Sequence, residues 1–265
     1  MYRKIRISSI LCAAFIVCGA TLSPVSAQDS SDHNVYYKGG ITRGDPSRKS
    51  ICLVFTAADR ADGTKPIIEA LKRHGVKGAF FFTGVFFERF PDEVRTLLDE
   101  GHYVGSHSYG HLLYAPWENG DSTIVSRKEF TDDMAKSFAK MGEFGITAET
   151  SPYWIPPYEH YNDTISKWSA EMGLKLMNYT SGTRTNGDYT TPDMKSYMSS
   201  DYIMNSVLEY ERTHTDGLNG HFMLIHLGTS PLRTDKFYNR LDELIVKLED
   251  LGYEFVSVKD MIENQ

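Results

Sequence analysis

The chain has 265 residues, 28 Lys+Arg against 35 Asp+Glu and a formal charge of -7, and this acidic balance argues against nucleic acid as a partner. Only three of its residues are cysteine, too few for a disulfide scaffold, and at 41% hydrophobic and 24% charged residues it has the make-up of a globular chain with an ordinary core.

Residues 1–27 read as a secretory signal peptide. Arg3, Lys4 and Arg6 form a basic start, Ile7 to Ala20 an apolar run, and Val25-Ser26-Ala27 a small-residue cleavage pattern. The apolar run is short for a membrane span, and Cys12 and Cys18 lack the preceding small residue of a lipoprotein signal, so no stable membrane anchor is expected. The expected location is secreted or periplasmic. Loss of three basic residues leaves 25 Lys+Arg against 35 acids, a charge of -10, and Cys52 as the sole cysteine, expected to be a buried thiol.

Residues 28–47 are polar, with Gly39-Gly40 and Gly44-Asp45-Pro46-Ser47, and read as a loose lead-in to a single domain over 48–265. Short apolar runs then predict strands at Ile51–Phe55, Ala79–Phe82, His102–Val104, Tyr153–Ile155, Lys175–Asn178, Phe222–His226 and Glu254–Ser257. Helical patterns lie between them: Ile67 to Lys72 running up to Gly75, Asp92 to Glu100, Ser126 to about Met141 behind a capping box, Ile165 to Met172, Asp201 to Glu211, and Lys236 to Leu251. Strict alternation of this kind predicts an α/β fold of right-handed βαβ units, with about seven parallel strands curling into a barrel. A doubly wound open sheet is the alternative, but no Gly-x-Gly-x-x-Gly follows the first strand.

His107 and His111 stand four apart in Gly105-Ser106-His107-Ser108-Tyr109-Gly110-His111, a separation at which one helical turn lets two imidazoles converge on a metal such as zinc. The spacing alone is common by chance. Position adds weight, because His107, Pro156, His226 and Thr56 to Asp59 all fall at or just past the C-terminal ends of predicted strands, the end that carries the active site in parallel barrels.

Lys77-Gly78-Ala79-Phe80-Phe81-Phe82-Thr83-Gly84, followed by Gly101-His102-Tyr103-Val104 and the histidine segment, resembles the NodB-homology polysaccharide deacetylases, carbohydrate esterase family 4, over about residues 50–262. The resemblance implies a distorted (β/α) barrel that removes acetyl groups from N-acetylated sugars of a polysaccharide or peptidoglycan, with a divalent metal held by one Asp and two His. His107 and His111 resemble the family's metal ligands, and His226 in Met223-Leu224-Ile225-His226 resembles its general acid. Pro156-Pro157-Tyr158 resembles the Arg-Pro-Pro-Tyr groove motif, whose backbone helps to bind the oxyanion; Ile155 stands where that motif has Arg. Asp188 is a candidate partner for His226, Arg184 a candidate replacement for the missing Arg, and Trp117, Trp154 and Tyr158 are candidate sugar-stacking aromatics.

The first motif departs most. Where the family has Thr-Phe-Asp-Asp, this chain has Val54-Phe55-Thr56-Ala57-Ala58-Asp59, so the two acids fall on Thr56 and Ala57, or on Ala57 and Ala58. Asp59 is the nearest acid, expected as third metal ligand and counted with the catalytic residues, with Asp62 or no protein group as base. The leading reading is a secreted metal-dependent hydrolase, with zinc as the expected metal. The competing reading is a catalytically silent carbohydrate-binding protein on the same barrel.

Overall fold

In the computed structural model, residues 32–118 and 120–264 are described, so the expected signal peptide lies outside the described residues. From His33 onward the chain forms one compact unit. It opens with an antiparallel hairpin, Val35–Tyr37 (β1) and Gly40–Arg43 (β2). Then come Ser50–Ala57 (β3), Thr64–His74 (α1), Ala79–Phe82 (β4), Gly84–Arg89 (α2), Pro91–Asp99 (α3) and Tyr103–Ser106 (β5). Arg127–Gly142 (α4), Tyr153–Trp154 (β6), Asp163–Glu171 (α5), Lys175–Leu176 (β7) and Ser200–Thr213 (α6) follow. His221–His226 (β8), Leu241–Asp250 (α7), Glu254–Phe255 (β9) and Val258–Glu263 (α8) complete it.

The seven strands after the hairpin make one parallel sheet in the order β7-β6-β5-β4-β3-β8, with β9 joined to the start of β3. Successive strands are neighbours from β3 to β7, and β8 returns to the free side of β3. Between β7 and β8 there is no continuous ladder. The gap is spanned by an Ile41–Met177 bridge and by Thr180, whose N–H donates to Phe222 O at 3.0 Å and whose Oγ1 accepts from Phe222 N at 3.0 Å.

Alternation along β3 sorts its side chains. Ile51, Leu53, Phe55 and Ala57 pack with Ile67 and Leu71 of α1 and Leu244 and Leu248 of α7, whereas Cys52 and Val54 pack with Phe81, Phe222 and Leu224 and with Met261 of α8. Cys52 is a buried free thiol whose pKa burial raises. Gly75 ends α1 in the left-handed conformation at φ 66°, and the Ser126–Glu129 capping box opens α4.

Helices α2 and α8 are unexpected, the strand expected over Lys175–Asn178 stops at Leu176, and two further stretches differ. Within the presumed lead-in, Lys38 and Gly39 turn the chain at positive φ and β2 docks beside β7, because Gly40 has no Cβ to strike Leu176 Cδ2, which would lie at 2.5 Å. The strand predicted to run to Ser257 stops at Phe255, since Ser257 caps α8 by accepting from Asp260 N. No helix among the described residues is long and apolar enough to cross a membrane.

Candidate active site

Hydrogen bonding continues one residue past several strands. His107 N–H donates to Phe82 O at 2.8 Å, Ile155 N–H to Ser106 O at 3.1 Å and Leu227 N–H to Thr56 O at 3.0 Å. His107, Ile155 and Leu227 are thereby pinned to one rim, with His226 in register beside Thr56.

The two histidines converge without a helical turn. Ser108 and His111 both take left-handed backbone, φ 67° and 53°, and the chain folds back on itself. Ser106 Oγ accepts from Ser108 N and Ser108 Oγ from His111 N, each at 3.0 Å. Asp133, on the buried face of α4, accepts from Tyr109 N at 3.3 Å, Gly110 N at 2.9 Å and Tyr114 OH at 2.5 Å. The ring centroids of His107 and His111 end up 5.0 Å apart.

A carbonyl only accepts, so the 2.9 Å contact of His107 Nδ1 with Ile155 O puts the proton on Nδ1 and leaves Nε2 bare. Burial, reinforced by neighbouring His111, pushes the His107 pKa down to about 3. Burial and then the charge of His226 lower that of His111. Two neutral imidazoles are what a divalent metal requires.

Across the rim, His226 Nδ1 lies 2.6 Å from Asp188 Oδ1, and His226 N–H donates to Asp188 Oδ2 at 3.0 Å. Asp188 is fully buried, at the end of the 3-10 turn Thr185–Gly187. Burial disfavours the imidazolium of His226, but the charge and hydrogen bond of Asp188, with Glu159 behind them, outweigh it and raise the pKa. The ring of Tyr189 stands 5.4 Å from that of His226.

Pro156 and Pro157 are buried, and the next two residues, Tyr158 and Glu159, are left-handed at φ 59° and 53°. That turn sets the exposed Tyr158 ring 4.5 Å from the ring of His111. Exposed Trp117 stands 6.1 Å from Tyr158 and 4.6 Å from His160, whose Nε2 is bonded to Pro116 O at 2.7 Å.

Two expected substrate contacts are placed elsewhere. Trp154 is 0% exposed: it packs against Tyr114 and Phe130, with its indole N–H donating to Ser169 Oγ, because β6 turns this side chain toward α4 and α5. Arg184 is exposed, left-handed at φ 65°, and lines a hollow with Tyr202, Asn205 and Glu209 of α6 rather than facing His226 or Asp59.

At the end of β3 stand Thr56, Ala57 and Ala58. Thr56 Oγ1 is buried without a hydrogen-bond partner, and Ala57 faces the helix side. Asp59 is 55% exposed, its carboxylate 3.7 Å from Arg89 and 4.0 Å from Arg60. Asp62 is occupied by Tyr238 OH at 2.6 Å, Lys236 Nζ at 3.1 Å and Thr229 N at 3.1 Å. Among the described residues no group of three His, Cys, Asp or Glu is arranged to hold a metal ion. The donor chemistry of the two imidazoles fits a divalent metal, and a third protein ligand is not in place with them.

The sequence reading missed Asp133 and Glu159. Asp133 carried a legible signal, an acid three residues after Phe130 on the apolar face of a helix. Glu159 carried none, since its place depends on the turn at Tyr158.

Comparison with known proteins gives a consistent result. The sequence model of the polysaccharide deacetylase family matches residues 43–177. A peptidoglycan-N-acetylglucosamine deacetylase of Bacillus cereus is 26% identical over 221 residues, 83% of this chain and 70% of that protein. Among solved structures, a peptidoglycan N-acetylglucosamine deacetylase in complex with an N-oxidanyl-benzamide superposes with TM-score 0.67 at 25% identity, over 84% of this chain and 92% of that one. A CE4 family pseudoenzyme from Bacillus anthracis superposes with TM-score 0.68 at 21% identity, over 86% of this chain and 70% of that one, a likeness of fold.

Proposed function

The chain belongs to the polysaccharide deacetylase family, and on that premise we propose that it is a secreted, metal-dependent hydrolase removing N-acetyl groups from amino sugars of a polysaccharide or peptidoglycan. The observation that carries the reading is the pairing across one rim of two neutral imidazoles, His107 and His111, with an Asp188-backed His226. Export rests on the pattern of residues 1–27 alone.

His107 and His111 would hold the metal, with zinc the first candidate for a site of imidazole donors. When bound there, the metal supplies Lewis-acid polarisation of the acetyl carbonyl. The Ile155 carbonyl fixes the His107 tautomer and keeps Nε2 available. His226, with Nδ1 committed to Asp188, is left with Nε2 to deliver a proton to the amine nitrogen as the carbon–nitrogen bond breaks and a water oxygen takes nitrogen's place on the acetyl carbon, releasing acetate. The turn Pro156–Tyr158 sets the Tyr158 ring beside His111, and the exposed faces of Tyr158 and Trp117 suit a sugar ring. Asp59 is the proposed third ligand. Its ion pairs are long and exposed, so turning away from Arg89 costs little, and it lies near enough to His111 for its charge to act on that imidazole.

A second reading, a silent glycan binder, has one observation behind it: no carboxylate among Thr56, Ala57 and Ala58. Metal analysis of the purified protein followed by acetate release from acetylated chito-oligosaccharides tests the first reading. Bound zinc without release, and release gained by Ala58→Asp, would replace it with the second.

A further inference from the structure

We infer that the hollow where Arg60 and Arg89 face Asp59 is an oxyanion site, with Asp59 as its resident occupant and a ligand carboxylate as the group that displaces it. The hollow, of about 490 Å³, lies between the loop after β3 and the loop after β8. Asp59, Arg60, Arg89, Phe90, Pro231 and Lys236 are among its lining, and its volume falls in the size range of small-molecule sites.

Its donors are unfilled. Arg60 Nε stands 4.0 Å and Arg89 Nη1 3.7 Å from the Asp59 carboxylate, both beyond hydrogen-bond length, and neither guanidinium makes a side-chain hydrogen bond among the described residues. A guanidinium is a planar fork that meets a carboxylate through two parallel bonds, a geometry that Asp59 does not reach with either arginine. All three side chains are about half exposed, so the attraction between them is screened and displacing Asp59 costs little.

The frame behind the arginines is fixed. Gly63 N–H donates to Leu227 O at 2.8 Å, and Gly228 has no Cβ to strike Arg60 O, so the two loops close on each other. Lys236 Nζ donates to Asp62 Oδ2 at 3.1 Å, to Thr229 Oγ1 at 2.8 Å and to Ser230 O at 2.9 Å, which commits that ammonium to the floor of the hollow. Arg89, at the end of α2, lies over the Phe90 ring, 5.5 Å from its centroid.

Charge and position together select the occupant. With Lys236 paired to Asp62, two guanidiniums remain against the single carboxylate of Asp59, a positive spot on a chain of formal charge -7. Asp59 comes three residues after Thr56 and Thr229 three after His226, and Thr56 and His226 are register partners on adjacent strands, so the hollow opens at the rim that carries the catalytic histidine. A sugar amide held at that rim would present an acidic substituent of the same sugar to the arginines. The geometry therefore favours an N-acetylated amino sugar that bears a carboxylate over its neutral counterpart.

This inference rests on the glycan reading of the preceding section for the source of the carboxylate, and the experiment separates the two. N-acetylmuramic acid, N-acetylglucosamine and free lactate are titrated into the purified protein and into Arg60→Ala, Arg89→Ala and Asp59→Asn, with affinities read from ligand NMR signals. Acetate release from acetylated chito-oligosaccharides is measured in parallel. The acidic sugar is expected to bind wild type about 10-fold more tightly than the neutral one, and each arginine substitution to bring that ratio close to one. Asp59→Asn should widen the ratio, because the resident competitor has lost its charge. Equal affinities for the two sugars in wild type, or a ratio that survives both arginine substitutions, overturns the oxyanion site and leaves the hydrolase reading standing. A ratio that behaves as expected without acetate release supports the site and removes the hydrolase. Lactate that matches the acidic sugar and is lost in both arginine variants supports the site with a free carboxylate as its ligand. Absence of binding by all three overturns the site.

Discussion

One oxygen of Asp188 lies 2.6 Å from His226 Nδ1 while the other takes the His226 main-chain N–H, so a single buried acid fixes both the ring and the backbone of that imidazole. Asp188→Asn keeps the shape and removes the charge. We expect kcat to fall by about 10²-fold or more, within the usual range for general acid catalysis. The direction of the pH effect follows from the raised pKa of His226. A proton donor loses activity as pH rises through its pKa, and without Asp188 that decline begins at lower pH. A pH–rate profile of the two proteins measures it; coincident alkaline limbs would detach Asp188 from the role.

Zinc added to metal-free protein should raise the melting temperature, by mass action on the folded state. His107→Ala and His111→Ala should each abolish the rise. Asp59→Ala should weaken zinc by at least about 10-fold if its carboxylate turns from Arg89 to the histidines, since loss of even an outer-shell partner has that effect at a metal site. Competition with a chromophoric chelator reads the affinity, and unchanged stoichiometry and affinity in Asp59→Ala would remove it from the site. Ala58→Asp places a carboxylate at a strand end held by the Thr83 Oγ1 bond to Ala58 O, and should tighten zinc.

Asp133 holds the histidine turn from below through two backbone N–H groups and a tyrosine hydroxyl. Asp133→Ala leaves those donors without their acceptor and should cost about 3 kcal/mol. Urea unfolding measures the loss. Zinc affinity should fall with it, because the positive φ of Ser108 and His111 is sustained by this network.

Acid should destabilise the metal-free chain through its buried histidines. Burial pushes His102 down to about 4 and both His107 and His221 to about 3, against 6.5 for an ordinary histidine. The unfolded chain then binds more protons, so stability is fully present above about pH 6.5 and is lost as pH falls toward 4, at about 1.4 kcal/mol per pH unit for each such group. His221 has no hydrogen bond to either ring nitrogen, so His221→Leu should remove its share of that slope. Urea titrations at pH 7.5 and 5.0 in the presence of chelator test it; equal stabilities would contradict the assignment.

What could be read in the sequence was whatever a short window carries. The apolar runs of β3, β4 and β8 and the capped amphipathic helices α1 and α4 announce themselves by period, and the parallel sheet follows from their alternation. The hairpin does not, because Val35-Tyr36-Tyr37 and Gly40-Ile41 are too short to stand out and are stabilised by contacts with Tyr161, Ser166 and Thr180 more than a hundred residues away. The same limit explains Trp154. An aromatic in a two-residue strand faces either way, and only the placement of α4 and α5 decides it. His226 and Asp188 are 38 positions apart, and their pairing was suggested by family resemblance rather than by spacing.

Of the six non-glycine residues with positive φ among those described, Ser108, His111, Tyr158 and Glu159 crowd around one pair of imidazoles. Replacing Glu159 with glycine would relax its backbone by about 1 kcal/mol, and a search for more heat-resistant variants would select such a change. That variant would also let the Tyr158 ring drift from His111. Laboratory evolution for thermal endurance alone should therefore drift toward proteins that outlast the parent and hold the Tyr158 ring against His111 less firmly.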